Sequence, residues 1–354
     1  MSQDELYQWI EDTSQMWQGV SRFFKANVVQ FSRGVAYAQS SHIRRIAGCV
    51  PGKPDSQRRR LQRFLKQEVK MTHFFQEWTG SLVNHVAPPV IQLVVDETKI
   101  GDQFGVMVVG MVMGGRCIPV AWRAYIANSK AAYPAEGQTN MILGLLAAIQ
   151  PAIPPECEVR ILADRGIGTS PALMRGIMHL GWTFLFRVTR MSKMVFEDGS
   201  SVSFFDQVHQ PGETYYASGC VFKQRGKLPA HVCVVWGVHA RQQWALVTND
   251  PTLTGWEYTN RMSIEQAFRD LKSHGWQLQQ VHFTCPQRLE RFWIILVVAY
   301  AWLLFWGLCL DASCRTVRPK FHSDGTIRRQ WSLFREGWLA LLRFQPSPGL
   351  VLRC

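Results

Sequence analysis

The chain has 354 residues, 47% of them hydrophobic and 18% charged. This composition excludes a largely disordered protein, because enough apolar surface exists to offset the entropy lost on folding, and the length suffices for two or three domains. The net charge of +13 favours a polyanionic partner, of which nucleic acid is the first to consider.

The first elements in the chain are predicted helices, and we assign residues 1–85 to a helical DNA-binding domain. A basic stretch runs from Arg44 to Lys70, and a Pro-Asp-Ser break inside it predicts a capped helix carrying the arginines most suited to DNA phosphates. Those arginines are Arg58, Arg59, Arg60 and Arg63. The alternative is an ordinary solvated basic helix face.

Residues 86–190 change to strand patterns. The segments "VIQLVVDETKI", "FGVMVVGMVMGG" and "RCIPVAWRAYI" predict three antiparallel strands, and the segments that follow predict the order β-β-β-α-β-α-β. That order is typical of a ribonuclease-H-like fold, an α/β mixed sheet flanked by helices. In such a sheet the end of the first strand lies beside the fourth strand.

The second half of the chain interrupts this core and then resumes it. Short β-like segments predict a β-rich insertion over residues 191–250. Residues 251–310 are predicted to complete the core, and residues 311–354 form a basic helical tail. The apolar run 292–310 is long enough to cross a membrane, but we expect a buried core helix and no membrane contact.

Three acidic residues are candidates for a metal site. Asp96 lies in the first predicted strand, Asp164 ends the fourth, and Glu265 lies on a predicted helix. Three carboxylates suit two Mg²⁺ ions of the kind that cleave phosphodiesters, and Mn²⁺ is expected to substitute. Each acid also has an ordinary explanation, namely a partner such as Lys99 or Arg165 for Asp96, a turn for Asp164 and a solvated helix position for Glu265.

The segment "YTNRMSIEQAFRDLK" places several phosphate-binding groups around Glu265. Arg261 precedes it by four residues and Lys272 follows it by seven, so both lie close to its helix face, while Tyr258 precedes the helix. An arginine fork, an ammonium and a phenol would hold phosphate oxygens next to a metal-binding carboxylate. The alternative is an Arg261–Glu265 ion pair on an exposed helix.

The pattern Tyr-x2-Arg-x3-Glu-x6-Lys resembles the YREK signature of a group of bacterial insertion-sequence transposases with an Asp-Asp-Glu triad. "ILADRG" and "VVDETKI" resemble the motifs around the two aspartates of that group. The long segment between Asp164 and Glu265 also resembles these enzymes, which carry a β-rich insertion at that point. The resemblance spans roughly residues 40 to 345.

This resemblance implies that Asp96, Asp164 and Glu265 bind the metal ions. It implies that Tyr258, Arg261, Lys272 and Arg165 bind DNA phosphates. An aromatic residue of the insertion stacks on a flipped base in relatives, and Trp236 and Trp244 are the candidates here.

The implied partners are the inverted-repeat ends of the element and target DNA, bound by a homodimer that cleaves the ends and joins their 3′-hydroxyls to the target. Nine cysteines without a CxxC pair and a start without the signal-peptide pattern favour a cytoplasmic, nucleoid-associated protein. A ribonuclease-H-like nuclease, a catalytically silent DNA-binding protein and a membrane-anchored protein are the alternatives.

Overall fold

The computed structural model describes residues 12–15, 17–86, 88–222, 226–312, 319–321, 327–329 and 331–343. The chain divides into two compact units, which we call the sheet unit, Leu82–Gln266, and the helical unit, Met1–Ser81 with Ala267–Cys354. The start of the predicted DNA-binding domain and much of the predicted tail 311–354 lie outside the described residues.

The sheet unit is built on one ten-stranded mixed sheet. Its strands are β1 Val90–Ile100, β2 Phe104–Met113, β3 Arg116–Ile126, β4 Glu158–Ala163, β5 Thr183–Arg187, β6 Lys193–Val195, β7 Ser201–Ser203, β8 Thr214–Val221, β9 Leu228–Val235 and β10 Trp244–Thr248. Two helices connect its central strands, α5 Gly137–Ile149 and α6 Pro171–His179.

The order of elements confirms the predicted β-β-β-α-β-α-β core and the mixed α/β fold class. β1, β2 and β3 are antiparallel, whereas β4 pairs in parallel with β1 and β5 in parallel with β4. Gly114 and Gly115 form the two-residue turn between β2 and β3, where both have positive φ angles of 56° and 73°. A two-residue turn of this kind matches the twist of the two strands, but it requires positive φ angles at both residues. Glycine adopts such angles without steric cost because it has no Cβ.

The β-rich insertion continues the same sheet. The strand order is β3-β2-β1-β4-β5-β10-β9-β8-β6-β7, so β10 joins the insertion strands to β5 by antiparallel pairing. Backbone hydrogen bonds therefore connect the insertion directly to a central strand.

The helical unit combines the N-terminal helices with those that follow the sheet. Its helices are α1 Arg22–Ala38, α2 Ile43–Gly48, α3 Pro54–Lys66, α8 Pro286–Ala312 and α9 Leu333–Arg343, while α4 Met71–Val86 and α7 Met262–Leu271 cross the boundary between the units. The tail, predicted to be helical, also contains a two-stranded antiparallel sheet, Pro319–Phe321 with Ile327–Arg329.

The apolar run predicted as a core helix forms most of α8, which packs against α1, α3 and α9. Ser32 donates to the carbonyl of Ile295 at 2.9 Å, and the indole of Trp338 donates to the carbonyl of Ala36 at 2.9 Å. Within Pro286–Cys309, an 18-residue window has a mean hydropathy of 2.2, enough by length and composition to cross a membrane, but 83% of that window is buried by protein. One helix of this kind is weak evidence for a membrane span, because a buried core helix has the same composition.

The crossing of α8 and α9 depends on glycine. A Cβ added at Gly337 would lie 1.9 Å from the carbonyl oxygen of Leu303, and one added at Gly307 would lie 2.0 Å from that of Leu333. The two backbones therefore approach more closely than any side chain allows.

We expect Gly337→Ala to lower the free energy of unfolding by about 1–3 kcal/mol, because the added methyl group must push the two helices apart. The matched control is Gly144→Ala in α5, where a Cβ meets nothing within 4 Å and the change should stabilise by about 0.5–1 kcal/mol. Denaturant unfolding of both variants measures the difference, and equal effects would contradict the backbone contact.

Candidate active site at the carboxyl edge of the sheet

The site begins with the register of three parallel strands. Val95 of β1 lies opposite Ala163 of β4, and Ala163 lies opposite Phe186 of β5. One step further along the same register places Asp96, Asp164 and Arg187 level with one another. Residues that are level on parallel neighbours point to the same face of a sheet, so these three side chains share one face at one edge.

Arg261 joins the three predicted metal-binding acids. Its guanidinium Nη2 lies 2.9 Å from Asp96 Oδ2 and 3.6 Å from Asp164 Oδ2, and its Nη1 pairs with Glu265 Oε1. The side chain of Arg261 is only 10% exposed and that of Asp96 15% exposed. The Arg261–Glu265 ion pair, which was the alternative interpretation, is thus present. It lies at the sheet edge, however, and the same guanidinium also contacts both aspartates.

The backbone before Glu265 is anchored to the sheet. A 3₁₀ turn, Trp256–Arg261, leads into α7, and Gly255 before it has a φ of 90°. Asn260 donates from Nδ2 to Gln92 Oε1 of β1 at 2.6 Å, and Ser263 donates to the carbonyl of Asn260 at 2.6 Å. These bonds fix the start of α7 over β1, which brings Arg261 and Glu265 to Asp96.

Asp164 also organises the loop that follows β4. Its Oδ1 accepts the amides of Gly166 at 3.0 Å and Ile167 at 3.2 Å, while its Oδ2 faces Arg261. The turn role considered from the sequence is therefore real, and it leaves one oxygen of the carboxylate directed at the site.

Burial makes the charge on Asp96 costly. It raises the pKa of Asp96 to about 6, although Arg261 and the amide of Glu97 lower that pKa, and the neighbouring Asp164 and Glu265 add to the increase. Burial by itself would lower the pKa of Arg261, but Asp96 and the other nearby carboxylates raise it overall. One guanidinium thus only partly compensates three acids.

The predicted phosphate-binding residues lie in different surroundings. Tyr258 is buried, and its ring lies edge-on to that of Trp244 with 5.3 Å between the ring centroids. Burial raises the pKa of the Tyr258 hydroxyl. Arg165 is exposed in the loop after Asp164. Lys272 belongs to the helical unit, where its ammonium lies 5.9 Å from the ring centroid of Phe268.

The two tryptophans predicted to stack on a base are half-buried. Trp236 donates from its indole to the carbonyl of Ala240 at 2.9 Å, and Trp244 lies against Tyr258. Trp256, which was not among the predicted stacking residues, is 41% exposed at the start of the 3₁₀ turn.

The four N-terminal arginines have two kinds of surroundings, since two have polar partners in the protein and two are exposed to solvent. Arg60 donates to Asn27 Oδ1 at 2.7 Å and Arg58 pairs with Asp55 at 3.4 Å, whereas Arg59 and Arg63 are exposed. Lys66 is also exposed three residues beyond Arg63, so Arg59, Arg63 and Lys66 form one basic face of α3, the α3 basic face below.

Sequence reasoning missed Arg187. It ends β5 at the same level as Asp164 ends β4, and its surroundings include Tyr258, Arg165, Arg261 and Asp164. The available signal was a charged residue closing the buried strand "TFLFR", which matters only once β5 is known to lie beside β4.

The residues present are chemically suited to a divalent metal. Carboxylate oxygens are the ligands that Mg²⁺ prefers, and the raised pKa of Asp96 shows that this carboxylate lacks full compensation. Among the described residues, no group of three or more His, Cys, Asp and Glu is spaced to hold an ion directly, and Arg261 lies between the three acids. The three carboxylates thus have the chemistry that Mg²⁺ prefers, but they surround the Arg261 guanidinium instead of a single ion position.

Comparison with known families gives one match. Residues 136–302, just under half of the chain, match the family model described as the transposase DDE domain. The matched range contains Asp164 and Glu265, and Asp96 precedes it, so the register of β1 with β4 is what adds the first aspartate. No curated protein matches the chain.

The match supports a DDE transposase, a class of enzyme that generally uses divalent metal ions and binds DNA. The ribonuclease-H-like sheet with its helices is consistent with that class.

We expect the free energy of unfolding of the metal-free protein to fall as the pH rises from about 4 to about 6, because Asp96 loses its proton in this window. Its pKa is higher in the folded chain, at about 6, than in the unfolded chain, so the folded state binds more protons in this window and the stabilisation is lost as the pH rises. Denaturant unfolding in a chelator should show that Asp96→Asn is less sensitive to pH there than the wild type. Parallel pH profiles would contradict the raised pKa.

Proposed function

We propose that this protein is a transposase of a bacterial insertion sequence, which binds the inverted-repeat ends, cleaves them at the element boundary and joins the 3′-hydroxyls to target DNA. The observation that supports this most directly is the convergence of Asp96, Asp164 and Glu265 on Arg261 at the carboxyl edge of the sheet. Ligands of open α/β sheets bind at this edge.

Asp96, Asp164 and Glu265 would hold two Mg²⁺ ions, with Mn²⁺ able to substitute. When bound, the ions would lower the pKa of a water molecule and would stabilise negative charge on the phosphate. Oδ2 of Asp164 is the oxygen available for this role, because Oδ1 is occupied by the loop amides. In the metal-free site Arg261 limits the repulsion among the three carboxylates.

Tyr258, Arg261, Arg165 and Lys272 would hold DNA phosphates around the scissile bond, as the YREK resemblance implies. Arg165 is exposed and adjoins Asp164 in sequence, which places a guanidinium at the rim of the site. Trp236 and Trp244 remain candidates for base stacking. We further propose a homodimer that pairs the two ends and a cytoplasmic, nucleoid-associated location.

The α3 basic face would bind the ends of the element. α2 and α3 are joined by the short segment 49–53, in which Gly52 has a φ of 109°. Two helices joined by a short glycine-containing turn are the arrangement by which helix-turn-helix proteins place the second helix in the major groove. The exposed Arg59, Arg63 and Lys66 lie on that second helix.

We expect Asp96→Asn, Asp164→Asn and Glu265→Gln each to reduce Mg²⁺-dependent cleavage of the element's ends by about 10²-fold or more, because each removes a carboxylate that positions the electrostatic stabilisation of the transition state. The measurement is single-turnover cleavage and strand joining on DNA that carries the ends. The matched control is Asp102→Asn, an exposed acid in the turn between β1 and β2, which should cleave normally.

Normal cleavage by any one of the three variants would remove that residue from the site. Cleavage without any joining by the wild type would instead favour a ribonuclease-H-like nuclease, since such an enzyme shares the metal chemistry but not the strand transfer.

We expect Arg59→Ala and Arg63→Ala each to weaken binding of the ends and to reduce the slope of log K against log salt by about 1, because each removes one phosphate contact. Fluorescence anisotropy over a range of salt concentrations measures the slope. Arg58→Ala is the control on the same helix, since its guanidinium pairs with Asp55, and it should change the slope less. Equal slopes for all three variants would contradict the α3 basic face.

A further inference from the structure

The three acids of the candidate site all contact the guanidinium of Arg261. Asp96 accepts the amide of Glu97 with Oδ1 at 2.8 Å, and its Oδ2 lies 2.9 Å from Arg261. Asp164 likewise accepts loop amides with Oδ1, and its Oδ2 lies 3.6 Å from Arg261. Oε1 of Glu265 pairs with the same guanidinium. Each aspartate thus has one oxygen committed to the backbone and presents the other to Arg261.

A divalent ion and this guanidinium therefore compete for the same oxygens. Arginine keeps its proton in proteins, so Arg261 cannot be neutralised in place and has to move before another cation binds these carboxylates. Among the described residues, no group of three or more His, Cys, Asp and Glu is spaced to hold an ion in this arrangement. We call the arrangement with Arg261 among the three acids the closed arrangement.

The backbone around Arg261 is fixed, whereas its side chain is held through the two terminal nitrogens. Asn260 donates to Gln92 of β1 at 2.6 Å, and Ser263 donates to the carbonyl of Asn260 at 2.6 Å. Nε of Arg261 is buried and has no hydrogen-bond partner, which makes the closed arrangement less favourable than a fully paired one. A change of rotamer at this one side chain is enough to release all three carboxylates while α7 stays in place.

Solvent reaches two of the acids beside this buried arginine. The side chain of Arg261 is 10% exposed, whereas that of Asp164 is 36% exposed and that of Glu265 is 39% exposed. An ion can therefore approach these two carboxylates without local unfolding. The occupation of their oxygens by Arg261, and not access, limits the binding of an ion.

We propose that Arg261 closes the metal site of the DNA-free protein, so that divalent ions bind weakly until a DNA phosphate draws the guanidinium away from the three acids. The identity of this phosphate rests on the proposed function, but the competition between Arg261 and a divalent ion does not. Binding free energies are linked, so DNA that favours the open site strengthens metal binding, and the metal strengthens DNA binding by the same factor. This coupling confines the hydrolytic chemistry to protein that already holds its DNA.

The first experiment measures the binding of Mn²⁺ to the full-length protein without DNA, by electron paramagnetic resonance of the free ion. The apparent dissociation constant is the intrinsic one divided by the fraction of molecules with an open site, so Arg261→Gln, which cannot form the closed arrangement, should bind Mn²⁺ more tightly than the wild type by about 10-fold or more. Arg261→Lys, which keeps the charge but replaces the fork by a single nitrogen, should have an intermediate affinity.

The matched control is Arg187→Gln, which removes the same charge at the same edge of the sheet. No ion pair joins Arg187 to an acid among the described residues, so this variant should bind Mn²⁺ nearly as the wild type does. Wild-type affinity in Arg261→Gln would overturn the proposal, and so would an equal gain in Arg187→Gln, which would show a general effect of charge. Should Arg261→Gln fail to fold, Arg261→Lys decides, and wild-type affinity in that variant would overturn the proposal.

The second experiment tests whether DNA opens the site. The dissociation constant of DNA that carries the element's ends is measured by fluorescence anisotropy with and without Ca²⁺, at matched ionic strength. We expect Ca²⁺ to strengthen binding by the wild type by a factor about 10-fold larger than in Arg261→Gln, whose site is open from the start. Arg187→Gln should show the wild-type factor. If the factor is the same in the wild type and in Arg261→Gln, opening by DNA is overturned.

These outcomes separate this proposal from the transposase function. Tighter binding of Mn²⁺ by Arg261→Gln, together with a wild type that neither binds nor cleaves the end DNA, would refute the transposase function and keep the competition at the metal site. A wild type that cleaves and joins DNA, yet binds Mn²⁺ without DNA as tightly as Arg261→Gln, would do the reverse.

Discussion

Parallel pairing of β1, β4 and β5 is the constraint on which the site depends. Because the pairing fixes the register, it places Asp96, Asp164 and Arg187 level on three neighbouring strands, although 91 residues separate the first from the last. A shift of one residue in either pairing would turn a side chain to the opposite face of the sheet. The hydrophobic strands therefore fix the positions of the polar groups at their ends.

The charges of Asp96 and Arg187 at this edge of the sheet are only partly compensated by their neighbours. Asp96 is held with a raised pKa beside two other acids and a single arginine, which suits a divalent cation. Burial lowers the pKa of Arg187, and Arg165 and Arg261 add to the decrease, while Tyr258 and Asp164 oppose it.

The sequence was sufficient for features that depend on local pattern and on one general rule. Alternating strands and helical periodicity gave the core order, and the rule that strand one lies beside strand four brought Asp96 to Asp164. It was insufficient where long-range contacts decide. The pairing of β10 with β5 makes the insertion part of the main sheet, and no local signal encodes that pairing. The role of Arg261 as the bridge among three acids likewise depends on where α7 begins.

The same distinction applies to the arginines of α3. A basic run predicts a basic surface, but helical geometry directs Arg60 to Asn27 and leaves Arg59 and Arg63 in solvent. Similarly, the sequence does not show which indoles are exposed. Trp236 donates to a carbonyl within the insertion, whereas Trp256, which follows the insertion, is 41% exposed.

The contact between α8 and α9 has a genetic consequence. Leu333 and Gly337 lie against α8, and Trp338 reaches across to α1, so the last described helix covers an otherwise apolar surface. A gene copy that ends at a premature stop codon shortly before Leu333 would still encode every proposed metal ligand. Its product would nevertheless expose that surface to water and become a substrate for aggregation and proteolysis, so a late nonsense mutation would abolish the proposed activity as effectively as the loss of one of the three acids.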